Sequence, residues 1–206
     1  MKSNLFIIAT LSLVFTLSAQ DKTKKVSDKH FKKYPIEKGY VTYSITGDAT
    51  GDAIRTFIDF GNKDCFVSNI EIVKYGTVDR TNTTVLSLGD YSYSMKNDAV
   101  EGKKMRDSRL GDLLKYKTTR ESIDAVMTAD GGMKAGTKEI LAKKCTKWVF
   151  EKGITREIYE WNGLILQVVK ELPGIKYQIV ANKIFENSEI SDDFFKISDS
   201  VKFIEY

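Results

Sequence analysis

The residues that most often do chemistry are scarce or scattered in this 206-residue chain, and their positions limit the reactions open to it. His30 is the single histidine. A Ser-His-Asp or Cys-His relay needs such a base held beside its nucleophile, and His30 falls in a lysine-rich leader where nothing would hold it. Cys65 and Cys145 are distant in sequence, and with one histidine they make no tetrahedral zinc set. Glu157 and Glu160 lie three apart in a strand pattern, so their side chains leave opposite faces and cannot converge on one bond. An acid pair drawn from two strands stays open, but no pair is singled out. The stretch Gly47-Asp48-Ala49-Thr50-Gly51-Asp52 reads as a hairpin loop, since a calcium loop needs more oxygen ligands at alternate positions. Gly131-Gly132-Met133-Lys134-Ala135-Gly136 lacks the Lys-Ser/Thr pair of a phosphate loop, and Asn82-Thr83-Thr84 is a glycosylation sequon that chance often produces. No catalytic residue, metal set or cofactor emerges, and the expectation is a non-enzymatic protein.

The elements that would carry any site are mostly strands. Gly39 to Thr46 alternates Val41, Tyr43 and Ile45 with Tyr40, Thr42 and Ser44, the period of a half-buried strand. Ala53 to Phe60 and Cys65 to Val73 repeat it, with Phe66, Ser68, Ile70 and Ile72 on one face, and weaker strands follow at Thr83 to Leu88 and Tyr91 to Met95. Between Asn97 and Lys117 charges crowd in and the period is lost. Arg120 to Ala129 predicts a helix, capped by Thr119, with Ile123, Val126 and Met127 at helical spacing and Gly131-Gly132 as its stop; Leu110 to Tyr116 suggests a second, shorter one. Five more strands follow at Lys138 to Leu141, Cys145 to Glu151, Thr155 to Trp161, Leu164 to Leu172 and Lys176 to Glu186. Asn162-Gly163 is the strongest hairpin signal, because both positions tolerate positive φ. The fold class is therefore mainly β: one antiparallel domain over residues 35–206 with a helical insertion near 108–130.

Aromatic and apolar side chains concentrate on the last strands. Trp148 and Phe150 share a face of one strand and Tyr159 and Trp161 a face of the next; Leu166, Tyr177 and Ile179 continue the series. Two readings stand side by side: an ordinary core beneath the helix around Ile123 to Met127, or the lining of a cavity for an apolar ligand.

The ends and the charge bear on location and partners. Lys2, the uncharged run Leu5 to Leu17 and the small residues Ser18-Ala19 have the order of a secretory signal peptide, expected to be removed as residues 1–19. That run is short for a membrane span and no other stretch approaches one, so an exported chain without a span is expected, in the periplasm or secreted. Residues 20–34, with Lys22, Lys24, Lys25, Lys29, Lys32 and Lys33, read as a mobile basic leader. The net charge of +4 comes from 32 basic and 28 acidic residues, interspersed, which does not call for a nucleic-acid partner. In an oxidising compartment Cys65 and Cys145 are candidates for a disulfide, with two buried thiols as the alternative.

Three stretches carry a family resemblance. They are Glu37-Lys38-Gly39-Tyr40-Val41-Thr42-Tyr43 with Ile58-Asp59-Phe60-Gly61; Gly131 to Cys145; and Trp161-Asn162-Gly163-Leu164 with Val180-Ala181-Asn182 and Phe194-Phe195-Lys196-Ile197. Together they resemble a group of uncharacterised secreted proteins of Gram-negative bacteria with the LolA/LolB-like lipoprotein carrier fold. The resemblance implies a curved antiparallel sheet or incomplete β-barrel closed by one or two helices, with an apolar concave face. It also implies that the curl draws Cys65 and Cys145 together. The chain departs at Ala142, where the group has glycine. Carriers of this kind hold acyl chains with the help of a positioned arginine. None of Arg55, Arg106, Arg120 and Arg156 is matched to it, so only the architecture carries over. The functional expectation is an envelope protein binding an apolar or lipid-like ligand through Trp148, Phe150, Tyr159, Trp161, Leu166, Tyr177 and Ile179. The alternative is a structural or interaction module with a filled core that contacts another envelope protein.

Overall fold

Alternation in the sequence becomes alternation in burial along β1, Gly39–Gly47, where Val41, Tyr43 and Ile45 are buried and the residues between them are half-buried. The computed structural model describes residues 32–74, 76–96, 99–106, 118–197 and 200–205. The expected export signal, His30 and the helix expected at 110–116 lie outside the described residues. After β1 come β2 (Ala49–Ile58), β3 (Lys63–Lys74), β4 (Thr77–Leu88), β5 (Tyr91–Lys96) and β6 (Glu101–Arg106). The helix α1 (Thr119–Ala129) precedes β7 (Gly132–Ile140), β8 (Lys143–Phe150), β9 (Thr155–Trp161), β10 (Leu164–Leu172), β11 (Ile175–Glu186) and β12 (Lys202–Glu205).

All twelve strands join one curved sheet that does not close, in the order β12-β6-β5-β4-β3-β2-β1-β11-β10-β9-β8-β7. Two meanders, β1 to β6 and β7 to β11, meet where β11 pairs antiparallel with β1. Among the described strands only β12 runs parallel to its neighbour, β6. At the β9–β10 turn Asn162 and Gly163 have φ of 47° and 94°, as the Asn-Gly signal requires. A side chain at Gly163 would also strike the Lys33 carbonyl, because the leader's end threads past this turn. Residues 32–34 are anchored there: Thr119 donates its hydroxyl to the Lys32 carbonyl at 3.0 Å, and the Tyr34 ring is buried.

Four expectations change. The cap of α1 is Thr118, one residue earlier; its hydroxyl accepts from the Glu121 amide and Glu121 answers on the Thr118 amide, a reciprocal capping box. The Gly47 to Asp52 loop shrinks to Asp48 alone, whose carboxylate accepts from the Lys176 amide at 2.7 Å and ties the turn to β11. The charged segment after Asn97 contains a strand, β6, held by backbone pairing with β5 and β12 rather than by an apolar face. The Cys65–Cys145 bridge is not formed: both thiols are free and buried. Five strands separate β3 from β8 in the sheet, and the two thiols pack in different clusters. The curl therefore does not bring together what six strand spacings of about 4.8 Å hold apart.

The core divides accordingly. The largest cluster runs from Tyr34 and Ile36 through β1 to β4 and across to β11, β10, β9 and the β7–β8 end. A second lies under α1, where Ile123 and Met127 meet Trp148, Phe150, Ile158 and Val168. A third joins Cys65 and Leu86 to Phe195 of the C-terminal segment.

Candidate functional site

The seven aromatic and apolar residues singled out by the sequence do not form one group. Trp148 and Phe150 belong to the cluster beneath α1, while Tyr159, Leu166, Tyr177 and Ile179 belong to the largest one, with Trp161 half-buried against it. The cause is local. Trp148 lies opposite Ile158 in register, which puts Tyr159 in the other phase of β9, and a bulge near Ile165 to Gln167 shifts the phase of β10. Tyr159 donates its hydroxyl to Glu157 at 2.6 Å, and Trp161 lies under the Lys143 ammonium at 4.2 Å from the ring centroid.

Sequence reasoning did not foresee the burial of charged residues, which among the described residues falls in three places. Beneath α1, Glu160 is fully buried; it accepts from Arg120 at 2.7 Å, from the Trp148 indole at 3.3 Å and from the Gly163 amide at 2.9 Å. This carboxylate fixes the helix, the indole and the hairpin turn to one another. At the leader's entry, Tyr34 donates to Asp64 at 2.5 Å and accepts from Arg55 at 2.9 Å, with Arg55 and Asp64 paired at 3.7 Å. Burial opposes the charge on Arg55, but Asp64 and the two tyrosines Tyr34 and Tyr43 outweigh it and hold the guanidinium charged. The Arg55 guanidinium also stacks on Phe66 at 5.1 Å.

The third place differs because nothing in it is paired. Lys170 of β10 is 2 % exposed, and its register partner Tyr177 of β11 is equally buried. Burial alone pushes the Lys170 ammonium down to about 8, without a neighbouring charge or hydrogen bond to restore it. Burial alone pushes the Tyr177 hydroxyl up to about 12, and that hydroxyl has no hydrogen-bond partner. The signal was present in the sequence, since Lys170 continues the apolar phase Leu164, Leu166, Val168.

The remaining groups are quiet. Burial, followed by Asp64, raises the Cys65 thiol to about 11, and burial, followed by Glu160, raises Cys145 to about 11, so neither is a ready nucleophile. A shallow hollow of about 410 Å³ lies elsewhere, between Lys63, Leu88 and Gly89 and the C-terminal residues Asp192, Phe195 and Lys196. Among the described residues, no three His, Cys, Asp or Glu side chains gather as metal ligands.

No protein-family model matches the chain, and no curated protein matches it. Solved structures that resemble it distantly include PNGF-II and LprF. PNGF-II is 11 % identical over 82 % of this chain and 32 % of its own, with a TM-score of 0.43. LprF from Mycobacterium bovis is 12 % identical over 77 % of this chain and 89 % of its own, with a TM-score of 0.34. The chain spans about a third of the PNGF-II length. At these scores the likenesses carry no argument, and the functional reading rests on the chain's own residues.

Proposed function

We propose that the protein is a non-enzymatic component of the cell envelope that binds an apolar, lipid-like ligand against the inner face of its curved sheet. One observation carries the reading. The helix packs on the cluster of Trp148, Phe150, Ile158 and Val168, while the larger apolar cluster, itself buried, extends beyond it along the curve of an unclosed sheet. An open curved sheet with an apolar lining is the kind of concavity in which ligands of this class are held. The signal-peptide pattern of residues 1–19 supports the envelope location, and the first residue of the mature protein should be Gln20. Gentle purification from the native host followed by lipid mass spectrometry tests the binding. Lipid should co-purify and a fluorescent fatty-acid probe should bind; absence of both removes the reading.

A second reading has its own support. Trp148 and Phe150 pack directly under α1, as ordinary core side chains do, which favours a filled-core module that contacts another envelope protein. Failure to bind any apolar probe, combined with capture of one reproducible envelope partner, would put this reading first.

A further inference from the structure

The unpaired lysine and tyrosine on β10 and β11 bear on what the ligand is. Lys170 and Tyr177 lie directly opposite each other across two antiparallel strands, which places their Cβ atoms about 5 Å apart on one face. Their neighbours along that face are apolar: Val168, Ile175 and Ile179 are all buried. Buried polar groups are paired in the great majority of cases, because burying an amine or a hydroxyl without a partner loses its hydration for nothing. Here the Tyr177 hydroxyl is buried with no partner, and the Lys170 ammonium, on a side chain 2 % exposed, has no acceptor among the described residues. The other buried cation among the described residues, Arg55, has partners in Tyr34 and Asp64, and the buried carboxylate Glu160 has three donors.

We infer that Lys170 and Tyr177 form the head-group site for a single carboxylate at the end of an apolar chain, so that the ligand is a fatty-acid-like monocarboxylate. The inference rests on the apolar-ligand reading above and narrows it. The chemistry selects the class. One ammonium balances one negative charge, and an ammonium and a hydroxyl offer one donor to each carboxylate oxygen. A phosphate monoester would bring about one and a half to two charges and three acceptor oxygens to a site with one cation. Near neutral pH the lysine is still mostly protonated, as the pairing requires.

The test compares dodecanoate, dodecanol and acetate on the purified mature protein at pH 7 by calorimetry. Dodecanoate should bind about tenfold or more tightly than dodecanol, the lower end of what a hydrogen bond to a charged group contributes. Lys170→Met should erase that preference, bringing dodecanoate binding down to the level of dodecanol. Tyr177→Phe, which removes one oxygen and keeps the ring, should weaken dodecanoate alone. Equal binding of acid and alcohol, or a preference that survives in Lys170→Met and Tyr177→Phe, overturns the inference and leaves the apolar-ligand reading standing. Acetate binding as tightly as dodecanoate also overturns it, since the site would then serve a free ion. Binding of neither long-chain probe removes the apolar-ligand reading and the inference with it.

Discussion

Replacing Lys170 by methionine should make the unliganded protein more stable, and the size of the effect follows from burial. An ammonium that titrates at about 8 in the fold, against an ordinary lysine value of 10.5, is disfavoured on folding whenever it is charged. The difference corresponds to about 3 kcal/mol at pH 7. The sign is that of a basic group lowered by folding: between pH 8 and 10.5 the unfolded chain binds more protons than the native one, so stability rises with pH there. By pH 10 the penalty has fallen below about 1 kcal/mol, because the unfolded lysine is itself losing its proton. Methionine matches the length of the buried stem and removes the charge. Urea denaturation at pH 7 and pH 10 reads the result. Lys170→Met should gain about 3 kcal/mol at pH 7, roughly 6–12 °C in melting temperature for a domain of this size, and much less at pH 10. A variant no more stable than the parent at pH 7, or a gain that does not shrink with pH, would refute the argument that Lys170 is buried without a counter-charge.

Other substitutions test separate parts of the fold. Leu141 and Ala142 both adopt positive φ, at 51° and 56°, in the β7–β8 turn. Ala142→Gly should therefore stabilise by about 1 kcal/mol in urea titration, since the left-handed region is strained for a residue with a Cβ; a loss of stability would mean the turn is not left-handed there. Thiol counting on the unfolded, unreduced protein should find two free cysteines, and the native protein should react slowly with a thiol reagent near neutral pH because both thiols titrate at about 11. Trp148→Ala should cost about 3–5 kcal/mol, as for a packed core aromatic, and leave binding of an apolar dye unchanged; weakened dye binding at little cost in stability would return Trp148 to the ligand face.

Much of the strand framework was legible because period-2 alternation is a property of each segment alone. β9 and β10 begin and end where the pattern and the Asn162-Gly163 turn place them. What failed depended on partners. The strand β6 carries Lys103, Lys104 and Arg106 and has no apolar phase; pairing with two neighbours makes it a strand, and no local pattern records that. The capping box did leave a mark, since Thr118 and not Thr119 stands three residues before Glu121. Strand parity grouped Trp148 with Phe150 and Tyr159 with Trp161, but it does not say which face a helix will cover, so the candidate residues were pooled across two clusters. Lys170 was passed over because lysine is usually solvated, and a charged side chain in the apolar phase of a strand is read as an interruption of the row rather than a member of it.

The seam between β1 and β11 sets an order of events on the chain. Gly39 pairs with Glu186 and Gly47 with Tyr177, so strands near the two ends of the described domain zip together only after everything between them exists. Each meander is built from hairpins between neighbours in sequence, which close quickly, whereas the seam must close a loop of well over a hundred residues. A chain crossing a membrane from its N-terminus would deliver β1 with one edge unpaired, and that edge would stay open until β11 arrived. If the chain is exported as proposed, any factor that escorts it would find its most vulnerable backbone there, on a strand that ends up in the middle of the finished sheet.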